Sequence, residues 1–158
     1  MEMRAERDET DAERMDRNWS ELLQELRVTQ TGIQILSGFL LTLPFQQRFG
    51  SLTIEQRTLY LVAVGLATLS TGLIVAPVTA HRLLFRRHEK DVLVAASDVL
   101  AKAGLGVMAL TVVSVVALIV SVVVGGSAGV IAGGATLGFF ILLWLALPLV
   151  LLRRRSAS

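Results

Sequence analysis

Four long apolar stretches, separated by short charged segments, dominate the chain. They cover residues 28–45, 59–78, 99–124 and 135–152, and the last is open to extension back through residues 129–134. A helix rises 1.5 Å per residue and needs about 20 apolar residues to cross a 30 Å hydrocarbon layer. None of the stretches shows the two-residue alternation of a membrane β-barrel strand. The pattern therefore predicts an all-α membrane protein with four transmembrane helices in an antiparallel bundle.

The residues before the first stretch differ from the rest in composition. Residues 1–17 carry dense mixed charge with almost no large apolar side chain, which favours an acidic arm that is disordered or only partly helical. From Met15 to Leu26 the apolar side chains recur at helical spacing, with Trp19 among them. We expect a short amphipathic helix that lies along the membrane surface and leads into the first span. A helix that packs on a partner protein is the alternative.

The distribution of basic residues predicts the orientation. The loop 79–98 and the tail 153–158 together hold seven Lys and Arg, the loop 46–58 holds two, and the loop 125–134 holds none. Lys and Arg accumulate in cytoplasmic loops of membrane proteins. The chain is thus expected to be a multi-pass protein of the cell inner (cytoplasmic) membrane with both termini cytoplasmic. Its predicted parts are the acidic arm 1–17, a transmembrane domain 18–152 and the basic cytoplasmic tail 153–158.

Composition supports the membrane class and narrows the chemistry. The chain is 53% hydrophobic and 18% charged, and it has no cysteine, whereas soluble domains are about 45–50% apolar and 25% charged. Without cysteine there is no disulfide, thiolate nucleophile or Cys-ligated metal. No catalytic or nucleotide-binding motif occurs, so we expect no enzyme, catalytic residue, metal or cofactor. The basic residues flank apolar runs rather than forming a patch, which argues against a nucleic-acid partner.

The first apolar stretch is unusually polar inside. Gln30, Gln34 and Ser37 recur at i, i+4 and i+7, so they share one stripe of a helix. An amide without a hydrogen-bond partner costs several kcal/mol in hydrocarbon, so the stripe must face protein or water. Hydrogen bonding between helices is the interpretation we favour. The alternative is a solvated pathway or a site for a polar ligand.

Charged residues close to the predicted span ends form a second candidate site. Two ion pairs are compatible with the topology, Glu25 with Arg82 and Asp98 with Lys102. We favour an anchor for anionic lipids at the cytoplasmic face over a proton or ion site. No ionisable side chain lies in the middle third of any predicted span, where cation-coupled transporters generally bury a carboxylate. The cluster consists of Glu25, Arg27, His81, Arg82, Asp98 and Lys102.

Small residues recur at four-residue spacing in two of the stretches. Thr68, Gly72 and Ala76 do so in the second, and Gly134 and Gly138 do so in the fourth. Such stripes allow helices to approach closely, either within one bundle or between copies of the chain.

Several segments resemble a family of small, functionally uncharacterised four-span membrane proteins from actinobacteria. The resemblance covers about residues 20–150, and its specific segments lie in the first two spans. Some members carry the automatically assigned label sodium:proton antiporter, an activity for which this chain has no carboxylate near the middle of a span. The resemblance implies a surface that joins the cytoplasmic mouth to an outer turn at Gln47 and Arg48. The segments are 25–28, 32–36, 39–49, 76–78, 81–82 and 85–86, and the residues implied are Glu25, Arg27, Gln34, Gln47, Arg48, His81 and Arg82.

The sequence therefore predicts a non-enzymatic integral membrane protein that self-associates or binds a partner. Its expected partners are the lipid bilayer, anionic lipids at the cytoplasmic face and further copies of itself in a homo-oligomer. Residues 1–27 are available to a protein partner. The alternative function is a small ion or proton channel or transporter with a pathway along the polar face of the first span.

Overall fold

The computed structural model describes residues 11–84 and 90–146, and almost all of these residues are helical. Two short 3-10 turns join the first helix to the second, and a π-helical turn extends the fourth. The helices are α1 (Asp11–Thr42), α2 (Ile54–Leu84), α3 (Lys90–Val123) and α4 (Gly126–Ile141), and the turns are Leu43–Phe45, Gln47–Ser51 and Leu142–Ala146.

Four segments within the described residues are long and apolar enough to cross a membrane. They confirm the predicted all-α fold with four membrane-spanning helices that pack against one another. Consecutive helices run antiparallel, so we call the end that holds Asp11, Leu84 and Lys90 the N-side, and the end that holds Ser51 and Gly125 the far side. The four segments are Gln24–Phe45, Ile54–Thr79, Ala96–Val123 and Gly126–Trp144.

The predicted amphipathic segment is continuous with the first span. α1 runs without interruption from Asp11 to Thr42 and holds neither proline nor, before Gly32, any glycine to break it. The residues before Gln24 extend the helix by about 20 Å on the N-side of the span. This part is one helix with the span rather than a separate element along the membrane surface, and residues 1–10 of the expected arm lie outside the described residues.

The fourth helix begins earlier than the sequence pattern indicates. Gly125 adopts a φ of 135°, a backbone conformation that strongly favours glycine, and it turns the chain immediately after α3. Val124 and Gly125 are therefore the whole connection, and α4 starts at Gly126 instead of residue 135. Glycine-rich residues 126–134, expected to form mainly a loop, lie inside the helix. Residues 147–152 of the predicted span are outside the described residues.

The close pairing of α2 and α3 forms the centre of the fold. A Cβ atom built on Gly104 of α3 would lie 2.7 Å from Ile74 Cγ1 and 3.3 Å from Leu73 Cβ, so glycine is required for this approach. Ser70 donates a hydrogen bond from Oγ to the Gly104 carbonyl oxygen at 2.8 Å, and both residues are buried. Small side chains thus bring two helical backbones together and satisfy a hydroxyl between them.

α1 packs onto this pair along a single stripe. Leu26, Ile33 and Leu40 are buried and follow one another at seven-residue spacing, which keeps them on one face of the helix. Most of the remaining surface of α1 is exposed, including Ile35 and Phe39. α1 is therefore a peripheral helix with a wide face that no other part of the described chain covers.

α4 packs on α3 alone. A Cβ atom on Gly129 would lie 2.7 Å from the Ala117 carbonyl oxygen and from Ser121 Cβ, and one on Gly133 would lie 3.0 Å from Ala117 Cβ. No Cα atom of α4 comes within 8 Å of one in α1 or α2 among the described residues. The described helices thus form an open arrangement, in which α1 packs against the α2–α3 pair and α4 is attached to the flank of α3 that faces away from α2.

Gly129→Val is expected to destabilise the protein, because the new side chain meets the backbone of α3 and forces the helices apart. We expect its free energy of unfolding to fall by about 1–3 kcal/mol, as for overpacked cores. Gly134→Val is the matched control, because nothing lies within 4 Å of a Cβ atom at Gly134. Reversible unfolding in mixed micelles measures both variants, and equal losses would contradict the packing of α4 on α3.

Candidate functional site

The predicted polar stripe of α1 lies at the edge of its buried face. Gln30 and Ser37 are half-buried, whereas Gln34 is exposed. Within the described chain neither amide makes a hydrogen bond, and the buried Ser37 Oγ has no partner. The hydrogen bonds between helices that the sequence favoured for this stripe are thus not formed within one copy of the described chain.

Other hydroxyl groups of α1 differ from the stripe because they bond within the helix. Thr29 Oγ1 donates to the Glu25 carbonyl oxygen, and Thr31 Oγ1 donates to the Arg27 carbonyl oxygen, each at 3.0 Å. These hydroxyls need no neighbour to be compatible with lipid. A glutamine amide has two donors and an acceptor at the end of a longer chain, so Gln34 needs a partner outside its own helix.

The depth of Gln34 makes this requirement severe. The residue lies at the middle of the segment Gln24–Phe45 and thus near the centre of any membrane that this segment crosses. A bare amide in hydrocarbon costs several kcal/mol. Gln34 therefore marks a place where protein or water must cover the surface of the single chain.

Two members of the predicted small-residue stripe of α2, Thr68 and Gly72, are exposed, and the third, Ala76, is half-buried. A Cβ atom would meet nothing within 4 Å at Gly72 or at Gly65, which lies on the same side of α2. Nor does anything lie within 4 Å of a Cβ atom at Gly134 or Gly138 in α4. Among the described residues the glycines that bring helices together are Gly104, Gly129 and Gly133, so Gly72, Gly134 and Gly138 of the predicted stripes do not serve this purpose there.

Helical geometry brings the exposed part of α2 next to the polar stripe of α1. A helix turns about 100° per residue, which fixes the angular order of residues around α2. Ser70 faces α3, Tyr60 comes next and faces α1, and Thr68 and Gly72 follow on the exposed side beyond α1. The Tyr60 hydroxyl donates to the Leu40 carbonyl oxygen at 3.1 Å. This bond defines which residues of the antiparallel helices α1 and α2 lie at the same depth.

Counted from the Tyr60–Leu40 contact, Gln34 lies within about one helical turn of the depth of Gly65 and Thr68. The side of α1 that carries Gln34 adjoins the side of α2 that carries Gly65 and Thr68. These side chains form one continuous surface rather than two separate features. We call this surface the amide face. It consists of Gln30, Gln34 and Ser37 of α1 with Gly65, Thr68 and Gly72 of α2.

The far-side turn holds the predicted residues Gln47 and Arg48, both exposed. The turn is anchored by a neighbour, Phe49, whose ring meets Tyr60 edge to face with centroids 5.1 Å apart. Arg57 also donates from Nη2 to the Gly50 carbonyl oxygen at 2.9 Å. Arg48 lies over an apolar cavity of about 180 Å³ and makes no ion pair within the described residues.

Gln56 is a structural residue that the sequence reasoning missed. Its backbone N–H donates to Thr53 Oγ1, and its Oε1 accepts from the Thr53 backbone N–H, a capping box at the start of α2. Its Nε2 also donates to both Oγ and the carbonyl oxygen of Ser121 at 3.2 Å. The Thr53-x-x-Gln56 spacing was the available signal, and the bond to α3 depends on tertiary structure.

The charged residues of the second candidate site gather at the N-side only in part. Asp98 Oδ2 and Lys102 Nζ lie 2.6 Å apart, which is the predicted ion pair one turn apart on α3. Glu25 and Arg27 are exposed on α1, with no ion pair among the described residues. The backbones of His81 and Arg82 lie near the N-side end of α2, but their side chains, and hence the expected Glu25–Arg82 pair, are outside the described residues.

A second unpartnered hydroxyl is buried between α2 and α3. Ser97 is buried and its Oγ has no hydrogen-bond partner. The register set by Ser70 against Gly104 places it two turns along, level with the buried Pro77. Proline lacks an N–H, so the Leu73 carbonyl loses its usual helical donor at this level.

Ser70→Ala and Ser97→Ala are expected to have different effects on the free energy of unfolding. Removing the Ser70 hydroxyl breaks a formed interhelical bond and should lower the free energy of unfolding by about 0.6 kcal/mol, the mean for such bonds in membrane proteins. Removing the Ser97 hydroxyl should leave stability unchanged or raise it, because no bond is lost. Reversible unfolding in mixed micelles compares the two. A larger loss for Ser97→Ala would show that its hydroxyl has a partner.

Comparison with known proteins adds one finding. The model of a family described as a family of unknown function (DUF6328) matches residues 8–148, which include all four membrane-spanning segments. No curated protein and no solved structure matches the chain.

Proposed function

We propose that this chain, which belongs to the family of unknown function DUF6328, is a non-enzymatic membrane protein that works as a homo-oligomer. Copies would meet through the amide face. The proposal rests on Gln34, an amide at the middle of a membrane-spanning segment that is exposed and has no hydrogen-bond partner in the described chain.

A second copy supplies what Gln34 lacks. A glutamine amide both donates and accepts, so two copies related by a two-fold axis can pair Gln34 with Gln34 reciprocally. Gly65 and Gly72 have no side chain beside Gln34, which permits the close backbone approach of associating membrane helices at this level. The half-buried Gln30 and Ser37 would lie at the edge of the same contact.

The proposed orientation places the N-side in the cytoplasm. The loop 79–98 and the C-terminal tail together carry seven Lys and Arg, against two in the loop 46–58, and such an excess is typical of cytoplasmic segments. Anionic lipids would interact with this rim, at about 1 kcal/mol for each basic residue near the surface. The N-side extension of α1 would then project into the cytoplasm, where residues 1–27 are available to a protein partner.

A conducting oligomer is the second candidate, and one observation favours it. Gln30 and Gln34 both lack hydrogen-bond partners within residues 11–84 and 90–146, so a ring of copies with these amides towards the axis would satisfy them with water instead of with each other. Such a ring would form a small ion or proton pathway without an intramembrane carboxylate.

Gln34→Cys is expected to form a disulfide-linked dimer in membranes under oxidation, because the proposed axis brings position 34 of two copies together. The chain has no cysteine of its own, so a single substitution gives an unambiguous product. Ile35→Cys is the matched control at nearly the same depth, since Ile35 is exposed on a different side of α1. Electrophoresis without reductant measures the dimer fraction. Equal cross-linking at both positions would contradict the amide face as the contact.

Flux through proteoliposomes separates the two candidates. The proposed assembly should pass neither protons nor monovalent ions under an imposed gradient. Flux in the wild type that Gln34→Leu abolishes would replace the proposal with the conducting oligomer. The same vesicles can be analysed for dimers, so loss of assembly is distinguished from loss of conduction.

A further inference from the structure

A groove between α3 and the N-side half of α4 remains outside the proposed contact. It has a volume of about 720 Å³, and apolar side chains form almost all of its wall. Among the described residues Lys102 is the one charged residue that lines it, and Trp144 lies in the π-helical turn at the same end of the groove. The groove opens to the surface because neither α1 nor α2 approaches α4 in the described chain.

The shape of the α3–α4 pair explains the groove. On the far side, Gly129 and Gly133 bring α4 against Ala117 with almost no space between the backbones. On the N-side the facing residues of α4 are large, since Phe140 and Trp144 stack edge to face with centroids 5.0 Å apart. The π-helical turn Leu142–Ala146 widens the helix there, a feature common at binding sites. The two helices therefore separate towards the N-side.

Two opposite charges lie side by side at the mouth of the groove, Lys102 on its wall and Asp98 in contact with it. Asp98 lies one turn nearer the N-side than Lys102, and their side chains are 48% and 73% exposed, so both are accessible despite their 2.6 Å contact. The Lys102 side chain also points back towards the N-side, as side chains on helices do. Its ammonium group therefore lies near the membrane interface, against the Asp98 carboxylate. The Trp144 indole lies at the end of the fourth apolar segment, in the belt that tryptophan favours.

We propose that this groove is a binding site for a phospholipid with an amino headgroup, of the phosphatidylethanolamine class, in the leaflet on the N-side. Its phosphate would contact Lys102, its ammonium group would contact Asp98, and one acyl chain would lie in the groove. The site is independent of the proposed self-association, because it uses α3 and α4 whereas the amide face uses α1 and α2.

The pair of charges matches this class of lipid. An ethanolamine phospholipid carries its ammonium group two carbon atoms beyond the phosphate, so it offers an anion to Lys102 and a cation to the adjacent Asp98. A phosphatidylglycerol has the phosphate but no cation for Asp98, so it would leave the carboxylate against its own negative charge. With an aminophospholipid, Asp98 and Lys102 can each replace the contact with the other by a contact with the headgroup.

The length of the groove fits an acyl chain. From Lys102 to Leu110 the wall spans about 12 Å along α3, close to the 15 Å half-thickness of the hydrocarbon layer. Gly106 lies between them, with nothing within 4 Å of a Cβ atom. A chain that enters beside Lys102 would thus be covered along most of its course through one leaflet.

Native mass spectrometry of the full chain with added lipid tests the site. Dioleoyl phosphatidylethanolamine and dioleoyl phosphatidylglycerol are supplied separately and in competition, and the fraction of protein that retains each lipid is measured. The wild type should retain the ethanolamine lipid preferentially. Lys102→Gln should lower retention of both lipids about fivefold, the effect of one basic contact.

Two further variants test the headgroup contacts and the acyl-chain contact separately. Asp98→Asn should reverse the preference towards phosphatidylglycerol, because it removes the partner of the ammonium group and frees Lys102. Gly106→Leu should lower retention of both lipids by filling the groove, and its exposed position leaves the fold intact, which thermal unfolding verifies.

Arg27→Gln is the matched control, because it removes an exposed basic residue near the same membrane interface on α1, away from the groove. Equal effects of Arg27→Gln and Lys102→Gln would overturn the proposal in favour of general electrostatic attraction. Equal retention of both lipids by the wild type would overturn the headgroup assignment. Disulfide-linked dimers of Gly106→Cys in membranes would show instead that a second copy covers the groove.

Discussion

A hydrogen-bonding group inside a lipid bilayer must find its partner in protein or trapped water, and most features of this chain follow from that constraint. Threonines in α1 satisfy it by bonding to their own helix, and Ser70 satisfies it by bonding to the Gly104 carbonyl oxygen of α3. Gln34 does not satisfy it within the described chain. The same physical rule that stabilises the centre of the fold therefore identifies the surface at which the fold is incomplete.

The open arrangement of the helices gives this surface its place. α2 and α3 are drawn together at Gly104, and α4 is drawn against the outer flank of α3 at Gly129. α4 is thereby kept away from α1, and no other described element covers the outer face of α1. This open arrangement separates two surfaces of different chemistry. The one on α1 and α2 carries amides and small residues, and the one on α3 and α4 is an apolar groove with an ion pair at its mouth.

The sequence predicted those properties that depend on one segment at a time. The four spans follow from apolar length, and the Asp98–Lys102 pair follows from its spacing on one helix. The start of α4 was missed, because glycines that normally indicate a loop here allow close packing, as Gly129 does against Ala117. Gly104 was missed for a related reason, since its role depends on Ile74 of another helix. The polar stripe of α1 was found, but its position beside Thr68 required the orientation of two helices.

The most direct test of the account is the dissociation free energy of the protein in lipid vesicles, measured by energy transfer between labelled copies as the lipid-to-protein ratio is raised. The account predicts that the wild type associates reversibly and that Gln34→Leu weakens association by about 1–2 kcal/mol, the range for hydrogen bonds between membrane helices. A wild type that stays monomeric at all ratios, or an unchanged dissociation free energy in Gln34→Leu, would contradict it.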